Sequence, residues 1–464
     1  MFFRQYELGC LSLYSYMIGD TTTGRAVVID PQRDIGIYLE EAAASGLKIE
    51  RVIETHFHAD FVSGHLELAR ATGAVISYGP GAETEFPIEP LADGQRLLLG
   101  DVVLEVRATP GHTPESISLV VWENGGAGDP WAVLTGDTLF IGDVGRPDLL
   151  ASAGISPEAL ARQLYRSLHE KLLTLPEATR VFPAHGAGSS CGRAMSSDPS
   201  STIGEQRRTN YALAPIGEEA FVAAVAGDQP TVPAYFAFAA STNRRHHVLH
   251  DDSELPPSLS IEEVSEHQRL GAVVVDARSP QAFSSGHLEG SVNVDLDGRF
   301  AEYAGALVEP GRPVVVVTDA GREAEARTRL ARVGCDNVVG HLPAIEVVLA
   351  DHPGMSSRAR RLPNADLAEW MSADPDLQVL DVRNSSELQG GMIPGSKAVP
   401  LAVLRDRLGE LDPGRDVVVV CASGSRSSMA ASLLRSEGFA TVADLLGGFD
   451  AWASAGLPVA GPRV

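Results

Sequence analysis

An internal repeat in the second half of the chain constrains its fold more than any other feature. The segments VVVDARS and VVVVT of the first copy correspond to VLDVRN and VVVVCAS of the second. Asp276 and Asp381 lie 105 residues apart, and Val317 and Val420 lie 103 apart, which indicates two copies of one domain. Unbroken valine runs are typical of parallel strands buried on both faces. The sequence therefore predicts two α/β domains with a polar loop and a helix after each central strand.

The first half of the chain predicts a further domain. A length of 464 residues suits about three domains, and the first 240 residues alternate short β-rich runs with helical stretches, which indicates a layered α/β architecture. A polar stretch with a Pro-Pro pair follows and predicts a linker at 246–257. The predicted domains are therefore 1–245, 258–355 and 360–464.

Composition and charge narrow the class of protein. Hydrophobic residues make up 44% and charged residues 21% of the chain, as in ordinary globular domains. A net charge of −24 disfavours nucleic acid and anionic lipid as partners. We expect no transmembrane helix, because no run of 18 apolar residues occurs. The four cysteines are widely spaced, which favours a reducing cytoplasm over a disulfide scaffold.

A cluster of potential metal ligands follows the β-rich runs of the first domain. The segment THFHADF at 55–61 places three ligand-type residues at alternate positions, and three more follow later β runs: His56, His58, Asp60, His112, Asp137 and His185. An alternative is that these are ordinary polar residues in turns, which would explain a single strand end that carries such a residue. Because four separate strand ends carry the pattern, the sequence predicts a metal site.

These motifs resemble the metallo-β-lactamase superfamily, whose fold is an αββα sandwich. The family motif is HxHxDH, but Phe61 stands at its last position, and a phenyl ring cannot hold a second metal. The chain thereby resembles the persulfide dioxygenases of this superfamily. That resemblance implies one Fe(II) per chain bound by His56, His112 and Asp137, with O2 as co-substrate. It leaves His58, Asp60 and His185 as groups that orient the ligands or bound water.

Two further residues of the first domain have open roles. Arg146 lies in GDVGRPDL, a segment that also resembles persulfide dioxygenases. Its guanidinium suits a substrate carboxylate, and the alternative is a loop ion pair with Asp148. Cys191 follows His185 by six residues, so it lies near the metal or is an incidental buried thiol.

The loop CASGSR after the second valine run predicts a nucleophile. Cys421 lies where a helix begins, with Arg426 nearby, and this position favours its thiolate. The small residues between them allow successive backbone N–H groups to point at an anionic sulfur: Ala422, Ser423, Gly424 and Ser425. The loop resembles that of rhodaneses, and its length resembles sulfurtransferases and not the related phosphatases. Met392 departs from the histidine that many rhodaneses have.

The first repeat copy resembles a rhodanese without a nucleophile. Its signature DARSPQAF is present, but Thr318 stands at the cysteine position and Asp319 adds negative charge. A threonine offers no thiolate. We therefore expect 258–355 to be a catalytically silent rhodanese-like domain and 360–464 to be the active one.

Together the resemblances imply an iron persulfide dioxygenase fused to a sulfurtransferase. The expected reactions convert a low-molecular-weight thiol persulfide and O2 to sulfite and thiol, and form or use thiosulfate at Cys421, in sulfide detoxification. The resemblance also implies a homodimer or homotetramer. Two alternatives are a dinuclear zinc thioester hydrolase of glyoxalase II type fused to a sulfurtransferase, and a non-enzymatic persulfide carrier or sensor.

Overall fold

A computed structural model describes residues 1–151, 154–227 and 229–461. The chain divides into two compact units. The first comprises 1–229 and 236–252, and the second comprises 230–235 and 253–464. Among the described residues, no helix is both long enough and apolar enough to span a membrane.

The first unit contains two six-stranded sheets. In one sheet, strands β1 to β6 run in sequence order: Phe2–Leu8, Leu13–Asp20, Arg25–Ile29, Lys48–Ile53, Val75–Tyr78 and Glu89–Pro90. The other sheet has the order β12-β11-β10-β9-β8-β7. From β7 to β12 its strands are Arg96–Leu98, Val103–Ala108, Ile117–Trp122, Ala132–Gly136, Arg180–Pro183 and Ser201–Thr202.

An apolar core between the two sheets holds them face to face. Ile18, Val27 and Ile53 of the first sheet share this core with Leu104 and Leu119 of the second. Separate apolar clusters cover the outer faces with helices α1 to α5: Gly36–Ala44, His65–Thr72, Pro157–Arg166, Ile203–Thr209 and Glu218–Ala226. Helix α6 follows at Phe236–Thr242. This helix–sheet–sheet–helix order is the expected αββα sandwich.

The segment after α6 lies against the first unit. Glu85 N donates to Arg244 O at 2.8 Å, Arg33 Nη2 donates to Val248 O at 2.6 Å, and His250 N donates to a Glu67 carboxylate oxygen at 3.0 Å. Residues at the start of the predicted linker therefore belong to the first unit. The boundary between the two units falls between Asp252 and Ser253.

The second unit contains the two repeat copies, each built on a mostly parallel sheet. The first copy has the order β15-β13-β16-β17 beside a two-stranded β14-β18 pair, and the second has β19-β23-β22-β20-β21. Strands β13 to β23 are Val273–Asp276, His287–Leu288, Val292–Asn293, Val314–Val317, Val338–His341, Ser356–Ser357, Arg360–Leu362, Gln378–Asp381, Lys397–Ala398, Val417–Val420 and Val442–Leu445. Helices α7 to α14 are Ile261–Arg269, Pro280–Ser285, Phe300–Leu307, Glu323–Ala331, Ile345–Asp351, Asn364–Ala373, Ser425–Ser436 and Gly448–Ser454.

The two copies share a buried ion pair after their first central strand. Arg278 donates to Asp276 at 2.6 Å and Arg383 donates to Asp381 at 2.7 Å, and all four side chains are buried. The parallel pairing of β13 with β16 and of β20 with β22 is also repeated. The structure therefore confirms the α/β class expected for both copies.

We predict that Arg383→Met lowers the free energy of unfolding of the second unit by about 3–5 kcal/mol, because Asp381 would remain as a buried charge without its partner. Chemical denaturation of the full chain measures this change. Arg415→Met is the matched control, since its pair with Asp376 has side chains 40% and 82% exposed and such pairs contribute about 0–1 kcal/mol. Equal losses in the two variants would contradict the prediction.

Candidate functional site

The ionisable side chains singled out in the first domain lie in loops that follow four strands. These loops follow β4, β8, β10 and β11, and all six side chains are buried: His56, His58, Asp60, His112, Asp137 and His185. Because the strands come from both sheets, one end of the sandwich brings together residues that are up to 129 positions apart. Burial of so many polar groups requires partners for each of them.

Three of these side chains form a group with the geometry of a metal site. The ligand atoms of His56, His112 and Asp137 lie within 4.8 Å of one another. Asp137 Oδ2 is 3.7 Å from His56 Nε2 and 3.4 Å from His112 Nε2. His56 Nε2 and Asp137 Oδ2 are buried and have no hydrogen-bond partner among the described residues. Two imidazoles and a carboxylate arranged in this way fit a divalent transition metal.

Hydrogen bonds on the far side of each ring fix which nitrogen faces the group. His112 Nδ1 lies 2.8 Å from Arg146 O, and since a carbonyl only accepts, Nδ1 carries the proton. Thr55 Oγ1 donates to Asp30 Oδ2 at 2.8 Å and therefore accepts from His56 Nδ1 at 3.0 Å. Both Nε2 atoms thus keep a lone pair for a metal.

Asp137 is held by a histidine that bridges two carboxylates. His185 Nδ1 lies 2.7 Å from Asp137 Oδ1, and its Nε2 lies 2.8 Å from Asp60 Oδ2. Burial alone would lower the pKa of His185, but Asp137 and Asp60 raise it to about 10. Burial would raise the pKa of Asp137, but His185 and His56 hold it well below its usual range. Asp137 is therefore ionised, which is the state in which a carboxylate can bind a metal.

His58 and Phe61 lie beside this group but not within it. His58 Nε2 is 3.0 Å from Asp30 Oδ1 and 3.2 Å from Glu54 Oε2. The fully buried ring of Phe61 packs against His58 with ring centroids 4.4 Å apart. The phenyl ring thus occupies a place where the superfamily motif has a histidine.

Arg146 and Cys191 meet next to the group. The Arg146 guanidinium donates to both Asp148 oxygens at 2.7 Å and to Ser190 O at 3.0 Å, so the loop ion pair is present. The thiol of Cys191 shares a buried group with Asp60 and His185. Burial raises its pKa well above the usual value, and Asp60 and Asp137 add to the shift.

Sequence reasoning missed several residues that support the site. Asp30 directly follows β3 in a left-handed conformation with φ 51° and accepts from the backbone and side chain of Thr55. At Gly145, an added Cβ would lie 1.9 Å from Asp137 O and 3.1 Å from His112 Cβ. A signal was available for Asp30, which is a carboxylate at a strand end like Asp137. Nothing in the sequence distinguishes Gly145 from other loop glycines.

The loop of the second repeat copy holds Cys421 at the junction of β22 and α13. Gly424, with φ 100°, turns the chain so that its N–H donates to Cys421 Sγ at 3.1 Å. Ser427 Oγ lies 3.5 Å from the same sulfur. Gly448 packs under the loop, since a Cβ there would lie 2.3 Å from Cys421 O. The loop therefore directs one backbone donor, the Gly424 N–H, at a buried sulfur, and the thiol in turn donates to Ser427 Oγ.

A cavity of about 370 Å³ opens at this loop. Arg426 lines it and donates to Glu387 through two nitrogens, at 2.7 and 2.6 Å. Ser423 and Ser425 of the loop also line it, together with Arg299 and Tyr303 of the first repeat copy. Both repeat copies therefore contribute side chains to the cavity beside Cys421.

The equivalent loop of the first repeat copy has a different chemistry. Thr318 follows β16, and its buried hydroxyl has no hydrogen-bond partner among the described residues. The loop arginine, Arg322, pairs with Glu325 and Asp297 at 2.8 and 2.7 Å. A hydroxyl with no base beside it lacks the reactivity of a thiolate.

Two protein families match most of the chain. The Metallo-beta-lactamase superfamily matches residues 8–185, and the Rhodanese-like domain family matches residues 260–343 and again 364–455. The second family's two matches fall on the two repeat copies. The resemblances to both families, and the fusion of the two, are thus confirmed.

Curated relatives match the first half of the chain. A mitochondrial persulfide dioxygenase of Bos taurus is 36% identical over 180 residues, which are 37% of this chain and 63% of the relative. That of Homo sapiens is 32% identical over 240 residues, 50% of this chain and 83% of the relative. A cytoplasmic hydroxyacylglutathione hydrolase of Arabidopsis thaliana is 34% identical over 183 residues, 39% of this chain and 66% of the relative. The chain thus spans less than two thirds of the bovine relative's length.

A solved structure matches a larger part of the chain. The crystal structure of a metallo-beta-lactamase from Staphylococcus aureus is 32% identical and superposes with a TM-score of 0.66. The match covers 73% of this chain and 98% of that one. Because it extends well past the first unit, the similarity includes part of the repeat region.

We predict that Gly145→Ala lowers the metal content of the purified protein and destabilises the first unit by about 1–3 kcal/mol, because the methyl group would push Asp137 and His112 apart. Elemental analysis and thermal unfolding measure the two effects. Gly9→Ala is the matched control, since nothing lies within 4 Å of its added Cβ. Retention of full metal content in Gly145→Ala would show that this close approach does not set the ligand geometry.

Proposed function

Because the chain belongs to the metallo-β-lactamase superfamily and carries two rhodanese-like domains, we propose that it is a persulfide dioxygenase fused to a sulfurtransferase. The first activity oxidises a low-molecular-weight thiol persulfide according to RSSH + O2 + H2O → RSH + HSO3⁻ + H⁺. The second transfers a sulfane sulfur through Cys421. The observation that supports this most is the convergence of His56, His112 and Asp137 in a chain that has Phe61 at the superfamily's second-metal position.

The proposed cofactor is one ferrous ion held by His56, His112 and Asp137. It would supply coordination for the persulfide sulfur and a redox centre for O2, which zinc cannot supply. The chain's own residues prepare the site: Arg146 O and Thr55 Oγ1 fix the imidazole tautomers, and His185 fixes the carboxylate.

At the second site the Cys421 thiolate attacks the outer sulfur of a persulfide. The reaction Cys421–S⁻ + RSSH → Cys421–SS⁻ + RSH moves one sulfur and releases the thiol. The Gly424 N–H, which donates to Cys421 Sγ at 3.1 Å, would stabilise the resulting anion. Sulfite then accepts the outer sulfur to give thiosulfate and regenerates Cys421. The reverse direction would use thiosulfate to supply persulfide to the first site.

A thioester hydrolase is the second candidate function. It is favoured by the similarity of the first domain to hydroxyacylglutathione hydrolases. A mechanism with two metals needs ligands for the second ion, and Phe61 supplies none. Cys191 beside Asp60 and His185 is the arrangement that this alternative would have to use.

We further propose a cytoplasmic role in sulfide detoxification. All four cysteines lie buried as thiols with no disulfide among the described residues, which suits a reducing compartment. Both proposed reactions consume sulfane sulfur, and the sulfite made by one is an acceptor in the other. The expected homodimer or homotetramer stays a prediction.

We predict that His112→Ala abolishes O2 uptake with glutathione persulfide but keeps thiosulfate sulfurtransfer, because the variant loses a metal ligand and leaves the Cys421 loop intact. An oxygen electrode and a thiocyanate-forming assay measure the two activities. His169→Ala is the matched control, since this partly buried histidine lies 2.9 Å from Tyr165 O through its Nδ1 and belongs to none of the candidate metal-binding groups. O2 uptake at the wild-type rate in His112→Ala would rule out the assigned ligand set.

We predict the opposite pattern for Cys421→Ser. Sulfurtransfer should fall by at least about 10³-fold, because a hydroxyl is not a sulfur nucleophile at neutral pH. O2 uptake from preformed persulfide should remain. Cys335→Ala, which changes a buried cysteine of the first repeat copy, should keep both activities. Loss of O2 uptake in Cys421→Ser would mean that the two sites do not act separately.

A further inference from the structure

His58 is the histidine whose position the proposed function leaves unexplained. It lies two residues from His56, and the centroids of the two rings are 4.1 Å apart, so it is a direct neighbour of a proposed ligand. Its nitrogen instead joins a separate buried group with Asp30 and Glu54. Because His58 is adjacent to a proposed ligand but directed at Asp30 and Glu54, we asked which contacts fix its side chain in that orientation.

We propose that Asp30 and Glu54 are positioning residues that keep His58 out of the metal's coordination sphere. The proposal rests on the metal centre assigned above and concerns how many protein ligands the metal has. His58 Nε2 lies 3.0 Å from Asp30 Oδ1 and 3.2 Å from Glu54 Oε2. If His58 turned to a metal, both buried carboxylates would lose this partner, which is unfavourable in a site of low dielectric.

The two carboxylates are themselves fixed by neighbouring residues. Asp30 accepts from Thr55 N at 2.7 Å and from Thr55 Oγ1 at 2.8 Å. Glu54 Oε1 accepts from Ser63 Oγ at 2.5 Å. Because Thr55 also orients His56, the same Asp30–Thr55 pair directs His56 toward the metal position and holds His58 away from it.

The ring and backbone of His58 are restrained from other directions as well. Phe61 packs against the ring, with centroids 4.4 Å apart. Asn243 Nδ2 donates to the carbonyl oxygens of both His58 and Phe61 at 2.8 Å, which fixes the turn that carries them. Rotation of His58 toward the metal would therefore require changes in several buried contacts at once.

The chemical consequence is an open site. Three protein ligands leave coordination positions for substrate sulfur and O2, whereas a fourth protein ligand produces the closed tetrahedral arrangement that structural zinc sites have. By keeping His58 from becoming a fourth ligand, Asp30 and Glu54 would favour binding of iron over tight binding of zinc.

The test compares metal preference in full-length variants. Metal-free Asp30→Asn/Glu54→Gln is mixed with equal amounts of Fe(II) and Zn(II) under anaerobic conditions, and the bound metals are measured. We expect the zinc-to-iron ratio to rise about tenfold or more over wild type, with a stronger tetrahedral absorption band in the Co(II)-loaded variant. The amide at position 30 has a single acceptor oxygen, which can keep the bond from Thr55 N but not also the bond from Thr55 Oγ1. Glu54→Gln alone, which leaves both Thr55 bonds in place, is therefore compared in the same assay, with a smaller change expected in the same direction. Glu67→Gln, which changes a buried carboxylate paired with Arg33, is the matched control and should behave as wild type.

Histidine variants make the proposal falsifiable even if the double variant is unstable. In the wild-type background, His58→Ala should keep the metal content, whereas His56→Ala should lose it. Adding His58→Ala to the double variant should return the zinc-to-iron ratio to the wild-type value. Loss of metal in His58→Ala alone, or an unchanged ratio and Co(II) spectrum in a folded double variant, would overturn the proposal. A further outcome is that the histidine variants and the metal ratio agree with three protein ligands while the iron-loaded protein consumes no O2 with any persulfide. In that case the proposed dioxygenase function is wrong, but the positioning role of Asp30 and Glu54 remains supported.

Discussion

The candidate metal site of the first unit is built around one carboxylate, Asp137, whose two oxygens have different partners. One oxygen accepts from His185 at 2.7 Å, and the other faces His56 and His112 without a hydrogen-bond partner among the described residues. A buried carboxylate needs positive charge beside it; His185, whose pKa Asp137 and Asp60 raise to about 10, supplies it on one side, and a metal ion would supply it on the side of His56 and His112. The loops after four strands, the close approach at Gly145 and the tautomers of both histidines all follow from the need to provide that environment.

The sequence predicted the fold class well because the controlling features are local. Valine runs next to Asp276 and Asp381 indicate buried parallel strands, and the structure confirms both sheets. The αββα sandwich was predicted through the resemblance carried by THFHADF, not through hydrophobic periodicity. The boundary of the first unit was harder to place, because residues 243–250 look polar and linker-like yet pack on that unit through backbone hydrogen bonds.

The sequence predicted which residue types form the candidate site, but not how their side chains are oriented. Residue type and strand-end position pointed to six ionisable side chains, and the resemblance to persulfide dioxygenases selected His56, His112 and Asp137 among them. The ligand atoms of these three side chains lie within 4.8 Å of one another. The direction in which His58 points depends on Asp30, which is 28 residues away in sequence, and on a turn fixed by Asn243. Contacts of this kind join residues that are distant in sequence, so no local sequence motif predicts them. The role of Arg146 in substrate binding stays a prediction, since its guanidinium pairs with Asp148.

The central claim is that one redox-active metal, and not a pair of zinc ions, occupies the first unit. Anaerobic titration of the metal-free full chain with Fe(II), followed by O2 uptake and sulfite assay with glutathione persulfide, tests this most directly. We expect saturation at one iron per chain and one sulfite formed per O2 consumed. Two tightly bound zinc ions per chain, with hydrolysis of acyl-glutathione and no O2 uptake by the iron-loaded protein, would contradict it.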